Sequence, residues 1–495
     1  MSVDSIDAAA SPAPATAAAE TTISRQNLTV IYLLIVSAFV VILNETIMAV
    51  ALPHLMADLN ATATAAQWLT TAFLLTMAVV IPVTGFLIQR INTRPIFILA
   101  MALFSAGTLI AALAPGLAVL VFARVVQAVG TAIMMPLLMT TVMTLVPPAA
   151  RGKMMGNISI VISVAPALGP TLAGIILKYL SWRWMFLIVL PIALLVLALG
   201  HRLLRNVTTT RYAPLDFISV VLSAFAFGGL VYGLSSFGEP AGSGSGIPVW
   251  IPLVVGGVAM VVFVARQIQL QANDRALLDL RTFASRDFTT SVGMFVVLMM
   301  AMFGTIILLP IYMQNVRGLD TLQTGLLLLP GGLLMGLLGP TVGRLYDRVG
   351  PRPLVVPGAV ALSAVLWAMT QLGPTTPVTF ILIGHLVFSL GLAFLFTPLF
   401  TTSLGAVKPQ LYSHGSAILG STQQVAGAAG VALFVAVMSL QTASHAAAGA
   451  SEVEALAGGI RVAFTIGAAF SLVAIVLAFF VRKPADQSGG MGHGH

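Results

Sequence analysis

The chain has no cysteine, which excludes disulfides, thiolate metal centres and cysteine nucleophiles. Charge is nearly as scarce. Only 8% of its 495 residues are Asp, Glu, Lys or Arg, against about 25% in an average soluble domain. Such a composition argues against a soluble enzyme and against a nucleic-acid-binding protein, and the low charge also argues against long disordered regions. The sequence shows no G-x-x-x-x-G-K-[ST] phosphate loop, which argues against a self-contained ATP-driven pump. No zinc-ligand spacing and no nucleophilic triad stands out either, so the reading is of a protein that is not an enzyme and holds no metal. The terminal Gly-His-Gly-His is read as part of a solvated tail.

What is present is apolar residue in long runs, 58% of the chain. A membrane-spanning helix needs about 20 mostly apolar residues. Fourteen such spans are predicted, at 28–53, 66–89, 95–114, 117–145, 152–180, 184–201, 215–237, 248–266, 288–314, 322–343, 353–372, 377–400, 412–440 and 460–481. The fold class is therefore an all-α membrane protein. Residues 1–24 are Ala/Pro/Ser/Thr-rich without Lys or Arg, and are expected to form a disordered cytoplasmic tail rather than a signal peptide.

The net charge of +8 carries its information in its distribution. Eighteen Lys and Arg fall in the tails and one alternating set of loops, including Arg90, Arg94, Arg151, Arg344, Arg348 and Lys483. Four fall in the other set: Lys178, Arg183, Arg317 and Arg461. Both termini are thus predicted to be cytoplasmic. One misplaced span would destroy the alternation.

Residues Gly85 to Pro95 match Gly343 to Pro353, and each segment joins the second and third span of a six-span unit. Transporters are often built from such repeats, with the substrate site near the membrane midplane between them. The expected organisation is a tail at 1–24, a first half at 25–205, two extra central helices with linkers at 206–275, a second half at 276–483, and a tail at 484–495. The connection between the extra helices, Glu239 to Gly246, reads as a short flexible loop.

The repeated loops resemble the G-x-x-x-D-R-x-G-R-R signature of the major facilitator superfamily. A carboxylate beside a helix N-terminus, flanked by arginines, can clamp two helices. The resemblance implies a cytoplasmic gate of Asp347, Arg348, Arg344, Arg90 and Arg94; the first copy has Gln89 in place of the acid and Asn92 in place of the glycine. Further signatures follow in family order. Arg124, Gln127, Gly130 and Ala132 resemble R-x-x-Q-G-x-G-A-A in the fourth span. Pro166, Gly169, Pro170 and Gly174 resemble the fifth-span antiporter motif G-x-x-x-G-P-x-x-G-G. Leu43 to Pro53, Gln67 to Thr71, Trp182 to Phe186 and Leu309 to Gln314 resemble segments of the fourteen-span drug:proton antiporters, the first most like the lincomycin-resistance subgroup. The resemblance covers nearly the whole chain. It implies the major facilitator fold: two six-helix halves with two extra central helices, working by alternating access.

Independently of any family, small residues such as Gly169, Ala173 and Gly174 let helices approach closely. Pro166 and Pro170 kink a helix. A kinked, tightly packed fifth helix beside the second half suits a rocking motion.

Ionisable groups at bilayer depth are costly and mark function. Of fifteen acidic residues, only Glu45 falls well inside a predicted span, and Arg124 is the only base that does. Glu45 is the expected proton carrier. Arg124 stays charged, so its expected role is to tune Glu45. The family's usual acid stands one residue earlier, at the position of Asn44, which turns the carboxylate about 100° around the helix. Candidate cavity residues are Asn44, Trp68, Gln127, Phe303, Tyr312, Gln314, His385, Gln423 and Gln424. His385 has an alternative reading as a hydrogen-bonded packing residue.

The expected function is export of amphipathic or hydrophobic drug-like compounds, driven by the proton motive force without a cofactor. The expected setting is the bilayer of a bacterial inner membrane, with the protein working as a monomer and having no nucleic-acid partner. The rivals are a dedicated exporter of one metabolite, lipid, siderophore or antibiotic, a nutrient importer, and a membrane receptor or enzyme without transport.

Overall fold

The computed structural model describes residues 23–207, 215–236 and 248–483. Residues 1–22 of the expected N-terminal tail, the C-terminal tail with its Gly-His-Gly-His end and the Glu239–Gly246 loop lie outside the described residues. Among the described residues, fourteen helices are long and apolar enough to cross a membrane. They are α1 Arg25–Asp58, α2 Ala63–Arg90, α3 Thr93–Ala112, α4 Leu117–Leu145, α5 Arg151–Tyr179, α6 Arg183–Leu203, α7 Phe217–Ser235, α8 Trp250–Gln271, α9 Arg286–Ile311, α10 Thr321–Val349, α11 Arg352–Met369, α12 Val378–Gly405, α13 Tyr412–Ala447 and α14 Glu452–Ala478.

Helices are forced here because a backbone in hydrocarbon must satisfy its own polar groups. Side-chain caps set the starts of several of them. Ser24 and Thr62 each accept a backbone N–H at the start of α1 and α2. Asp320 forms a capping box with Gln323, and Ser451 forms one with Glu454. The second box starts α14 eight residues before the predicted 460, because Glu452 and Glu454 are polar enough to lie outside the apolar run yet suit a helix's first turn. At its other end α10 runs on to Val349, so Asp347 lies in a last helical turn rather than in the loop expected for it.

The two halves obey the internal repeat. In the first, α3 packs on α4 and α6, α2 on α4, and α1 on α4, α5 and α6. In the second, α11 packs on α12 and α14, α10 on α12, and α9 on α12, α13 and α14. The starts of α5 and α13 match too, each preceded by a three-residue 3-10 turn, Pro148–Ala150 and Pro409–Leu411. The halves meet through α5 with α10 and α12, and through α13 with α2 and α4. Helices α7 and α8 form a hairpin whose α7 lies on both α2 and α13.

We call the side where α1 begins and α14 ends the terminal side. Contacts between the halves concentrate there. On the α5–α10 seam, the Cβ position of Gly343 lies 2.0 Å from the Gly152 carbonyl oxygen, and that of Gly156 lies 2.3 Å from the Gly339 carbonyl oxygen. Only glycine permits such backbone approach. Further along, Gly332 faces Ala167. Beyond that point the helices part: around the Cβ positions of Gly174 and Gly325 nothing lies within 4 Å. Along this seam the helices are in backbone contact on the terminal side and have open space at Gly174 and Gly325 on the other.

Candidate functional site

Helix α1 presents three consecutive residues to three surroundings. Asn44, buried to 2% exposure, faces α4, where the Arg124 Nη1 donates to its Oδ1 at 3.4 Å. Thr46 faces α5, packing under Gly169. Ile47 and Ala51 join an apolar cluster with Trp182, which precedes α6, and Phe186 of α6. With 100° between successive residues, Glu45 takes the remaining side, between the directions of α4 and α5 and away from α6. It is partly exposed there.

Arg124 is 1% exposed. Its Nη1 also donates to the Gln127 Oε1 at 3.0 Å, and its Nε points to the Leu69 carbonyl at 3.5 Å. The guanidinium carbon sits 3.9 Å above the Phe73 ring centre. The Gln127 Nε2 in turn donates to the Thr108 hydroxyl at 2.8 Å. A buried charge demands such partners. Among the described residues, ion pairs join Arg266 to Asp216 and Arg281 to Asp274 and Asp279, none of them involving Glu45.

The gate is smaller than the five residues expected. Asp347 crosses between halves: its carboxylate accepts the backbone N–H groups of Gly152 and Lys153, both at 2.8 Å, at the N-terminus of α5. It clamps a helix terminus without an arginine partner. Arg344 bonds within its own helix, to the Pro340 carbonyl and the Thr341 hydroxyl. Arg94 ties α3 to the His201 carbonyl of α6 at 2.7 Å, within the first half. Arg90 is exposed and leans towards Phe86, and Arg348 is exposed. Arg344 and Arg94 are corrections, because long side chains on a helix end reach the nearest carbonyl. What crosses at the first loop is Gln89, whose Nε2 donates to the Gln410 carbonyl at 3.1 Å and the Ser413 hydroxyl at 2.9 Å. Ser413 stands in the first turn of α13, the counterpart of α5. Hydroxyl pairs complete the closure, Thr140 with Ser416 at 2.9 Å and Ser159 with Thr397 at 2.6 Å. Neutral polar residues of this kind carry no sequence signal to single them out.

Of the antiporter motif, Gly169 is in tight contact, but with Thr46 of α1, the Cβ position lying 2.3 Å from the Thr46 hydroxyl. Gly174 does not pack closely as expected, Pro170 is exposed and Pro166 is half-buried. The close approach to the second half uses Gly152 and Gly156 instead.

The cavity candidates scatter. Asn44 and Gln127 hold Arg124. Tyr312 is fully buried and its hydroxyl donates to the Gly373 carbonyl at 2.7 Å, so it fastens a loop rather than lining a cavity. His385 donates to the Leu328 carbonyl at 3.1 Å and packs on Gly331, joining α12 to α10; the packing reading holds. Trp68 stacks on Tyr232 of α7, ring centres 6.0 Å apart, and so belongs to the hairpin contact. Phe303 packs on Gly427, Gln314 and Gln423 are partly exposed, and the Gln424 Nε2 is buried without a partner.

Replacing Asp347 by Asn is expected to loosen the terminal-side closure. Bonds to a charged acceptor contribute about 1.5–3 kcal/mol, so a loss of about 2 kcal/mol shifts the closed-to-open ratio some 30-fold. Spin labels at Ala149 and Val349 in this naturally cysteine-free chain read the distance directly; an unchanged distribution refutes the clamp.

Two repeated six-helix halves around a buried polar centre are the architecture of a membrane transporter. The sequence profile described as Major Facilitator Superfamily matches residues 34–431. The chain belongs to the Major Facilitator Superfamily. It is 41% identical to the uncharacterized MFS-type transporter YcnB of Bacillus subtilis over 92% of this chain and 95% of that one. It is 36% identical to the lincomycin resistance protein LmrB of the same organism over 91% and 95%. Two solved structures share the fold. The human organic anion transporter MFSD10 has a TM-score of 0.67 at 17% identity, covering 92% of this chain and 100% of that one. The proton:xylose symporter XylE has 0.64 at 14% identity, covering 93% and 97%.

Proposed function

We propose that the protein exports amphipathic or hydrophobic drug-like compounds in exchange for protons. On this reading it works as a monomer in a bacterial inner membrane. The terminal side is the cytoplasmic side, since the basic residues gather there. The whole-length likeness to lincomycin resistance proteins supports the drug part. The observation that carries the coupling is the division of labour in α1. Asn44 cannot titrate and holds Arg124 whatever the proton does. Glu45, one residue on, has no ion pair among the described residues and is partly exposed. It is thus free to take and release a proton as each side opens. Substrate and proton then favour different states, which is the linkage that exchange requires.

The test uses proteoliposomes with a preset pH gradient and a fluorescent pH reporter. Drug addition is expected to move protons through the wild type and at least ~10-fold more slowly through Glu45→Gln, equivalent to about 1.4 kcal/mol. Equal movement in both removes Glu45 as the carrier. Drug movement without protons removes the coupling and leaves the export.

A further inference from the structure

The buried polar centre of the first half has a counterpart in the second. Gly130 of α4 brings its Cβ position 2.3 Å from the Ala100 carbonyl oxygen and 2.8 Å from the Phe104 amide nitrogen of α3. Gly391 of α12 brings its own 3.1 Å from both the Gly358 carbonyl oxygen and the Leu362 amide nitrogen of α11. The two glycines hold the same place in the repeat. Six residues before them stand Arg124 and His385, and three before them Gln127 and Phe388. The repeated loops fix α2 on α10 in the same way. Gly331 stands where Phe73 does, each twelve residues before its loop glycine, Gly343 or Gly85.

The bonding agrees with that register. Arg124 points its Nε to a carbonyl of α2, that of Leu69, and lies over Phe73. The His385 Nε2 donates to a carbonyl of α10, that of Leu328, and its ring lies 2.5 Å from the Cβ position of Gly331. Arg124 bonds Gln127, and His385 stacks on Phe388 with ring centres 6.5 Å apart. The two places differ in the charge they can keep. Two amide oxygens accept from the guanidinium, whereas the imidazole meets one carbonyl and a phenyl ring. Its Nδ1 is buried and has no hydrogen-bond partner. With Nε2 donating, Nδ1 carries the lone pair and is the basic nitrogen. His385 is the one titratable residue of α12. On α5, α9, α10, α11 and α13, which pack on α12, every titratable side chain lies within two turns of a helix end. At the ends nearer His385, Tyr312 and Arg317 bond the Gly373 and Pro374 carbonyls, and Asp320 caps α10.

Leu328 lies between Gly332, which meets Ala167 of α5, and Gly325, around whose Cβ position nothing lies within 4 Å. His385 is therefore held at the level where α10 leaves contact with α5. A charge buried there is costly unless water or a partner reaches it. Parting α10 from α5 at this level admits water. We propose that His385 is a second proton-binding site, the titratable counterpart of Arg124: its Nδ1 takes a proton from water when the α5–α10 seam parts at this level and returns it when the seam packs. This rests on the proton-exchange reading but not on Glu45. Each half then has one cation-holding place at the same point of the repeat, permanent in the first half and reversible in the second.

Acid is then expected to favour the conformation parted at His385 and packed on the terminal side. Spin labels at Ala149 and Val349 read that equilibrium without any drug. In Glu45→Gln, the packed-to-open ratio is expected to rise at least ~10-fold from about pH 8 to about pH 6, the range in which histidine titrates. Adding His385→Gln is expected to abolish the rise. The new amide can still donate to the Leu328 carbonyl, so the packing bond is kept and only titration is lost. The 15N spectrum of the protein with His385 in place reads the ring directly. The signal that His385→Gln removes is expected to move from neutral to imidazolium over the same range, and a ring neutral throughout overturns the site. A pH response present in the wild type and absent from Glu45→Gln also overturns it, leaving proton exchange at Glu45. A response that survives His385→Gln overturns it too, since another group then carries the proton. No pH response in the wild type removes proton exchange and this site with it.

Discussion

Gly156→Leu is expected to abolish transport by preventing terminal-side closure. The first side-chain carbon alone would lie 2.3 Å from the Gly339 carbonyl oxygen and 2.8 Å from the Pro340 Cα. Both obstacles are backbone, so no rotamer change relieves them. Overpacking where neighbours can yield costs about 1–3 kcal/mol. Here the cost falls at or above the top of that range, roughly a 100-fold shift towards the open state. The folded protein escapes the clash by parting α5 from α10, so it should purify normally. Spin-label distances across the terminal side should lengthen, and cycling should stop. Gly174→Leu is the control on the same helix: nothing lies within 4 Å of its Cβ position, so terminal-side closure should be untouched. If both variants close equally well, the glycine contact does not control the gate.

Arg124→Ala is expected to cost both stability and transport. The guanidinium supplies bonds to Asn44 and Gln127 and covers Phe73. Removing it leaves two buried amide oxygens unsatisfied, at about 1–3 kcal/mol each. Loss of about 3 kcal/mol in stability is expected, with transport down roughly 100-fold. Arg124→Lys should restore some stability but little transport, because one ammonium cannot reproduce a planar fork over an aromatic face. A thermal melt and an efflux assay on the same preparations decide it. A lysine variant with full transport shows that charge alone suffices and that the fork geometry is incidental.

These two variants probe parts of the molecule that differ in how visible they were beforehand. Arg124 stands out in the sequence because a base inside an apolar run has no neutral explanation. Gly156 does not, since small residues recur along every helix and only the facing helix selects which of them touch. The same contrast holds at the gate. Asp347 was legible from its place in a repeated loop, but its partners are backbone N–H groups, and no side-chain pattern announces those. The arginines beside it were misleading, because their sequence position serves charge distribution as well as clamping. Polarity within apolar runs makes Tyr312 and His385 cavity candidates, but in the structure the Tyr312 hydroxyl and the His385 Nε2 meet nearby carbonyls, the commoner fate of such a group.

The sequence by itself determined the number of spans, the repeat, the transporter class and the two intramembrane charges. Those follow from hydropathy, charge distribution and local motifs, which act within about one helix length. Only the tertiary structure decided that Arg124 rests on Asn44 rather than on Glu45, that Gln89 answers Asp347 across the repeat, and that α7 lies on both α2 and α13. Each of these depends on which face of one helix meets which face of another. Helices in a bilayer have much the same apolar surface all round, so periodicity cannot choose that face. Close packing of small residues and the pairing of a few buried polar groups choose it instead.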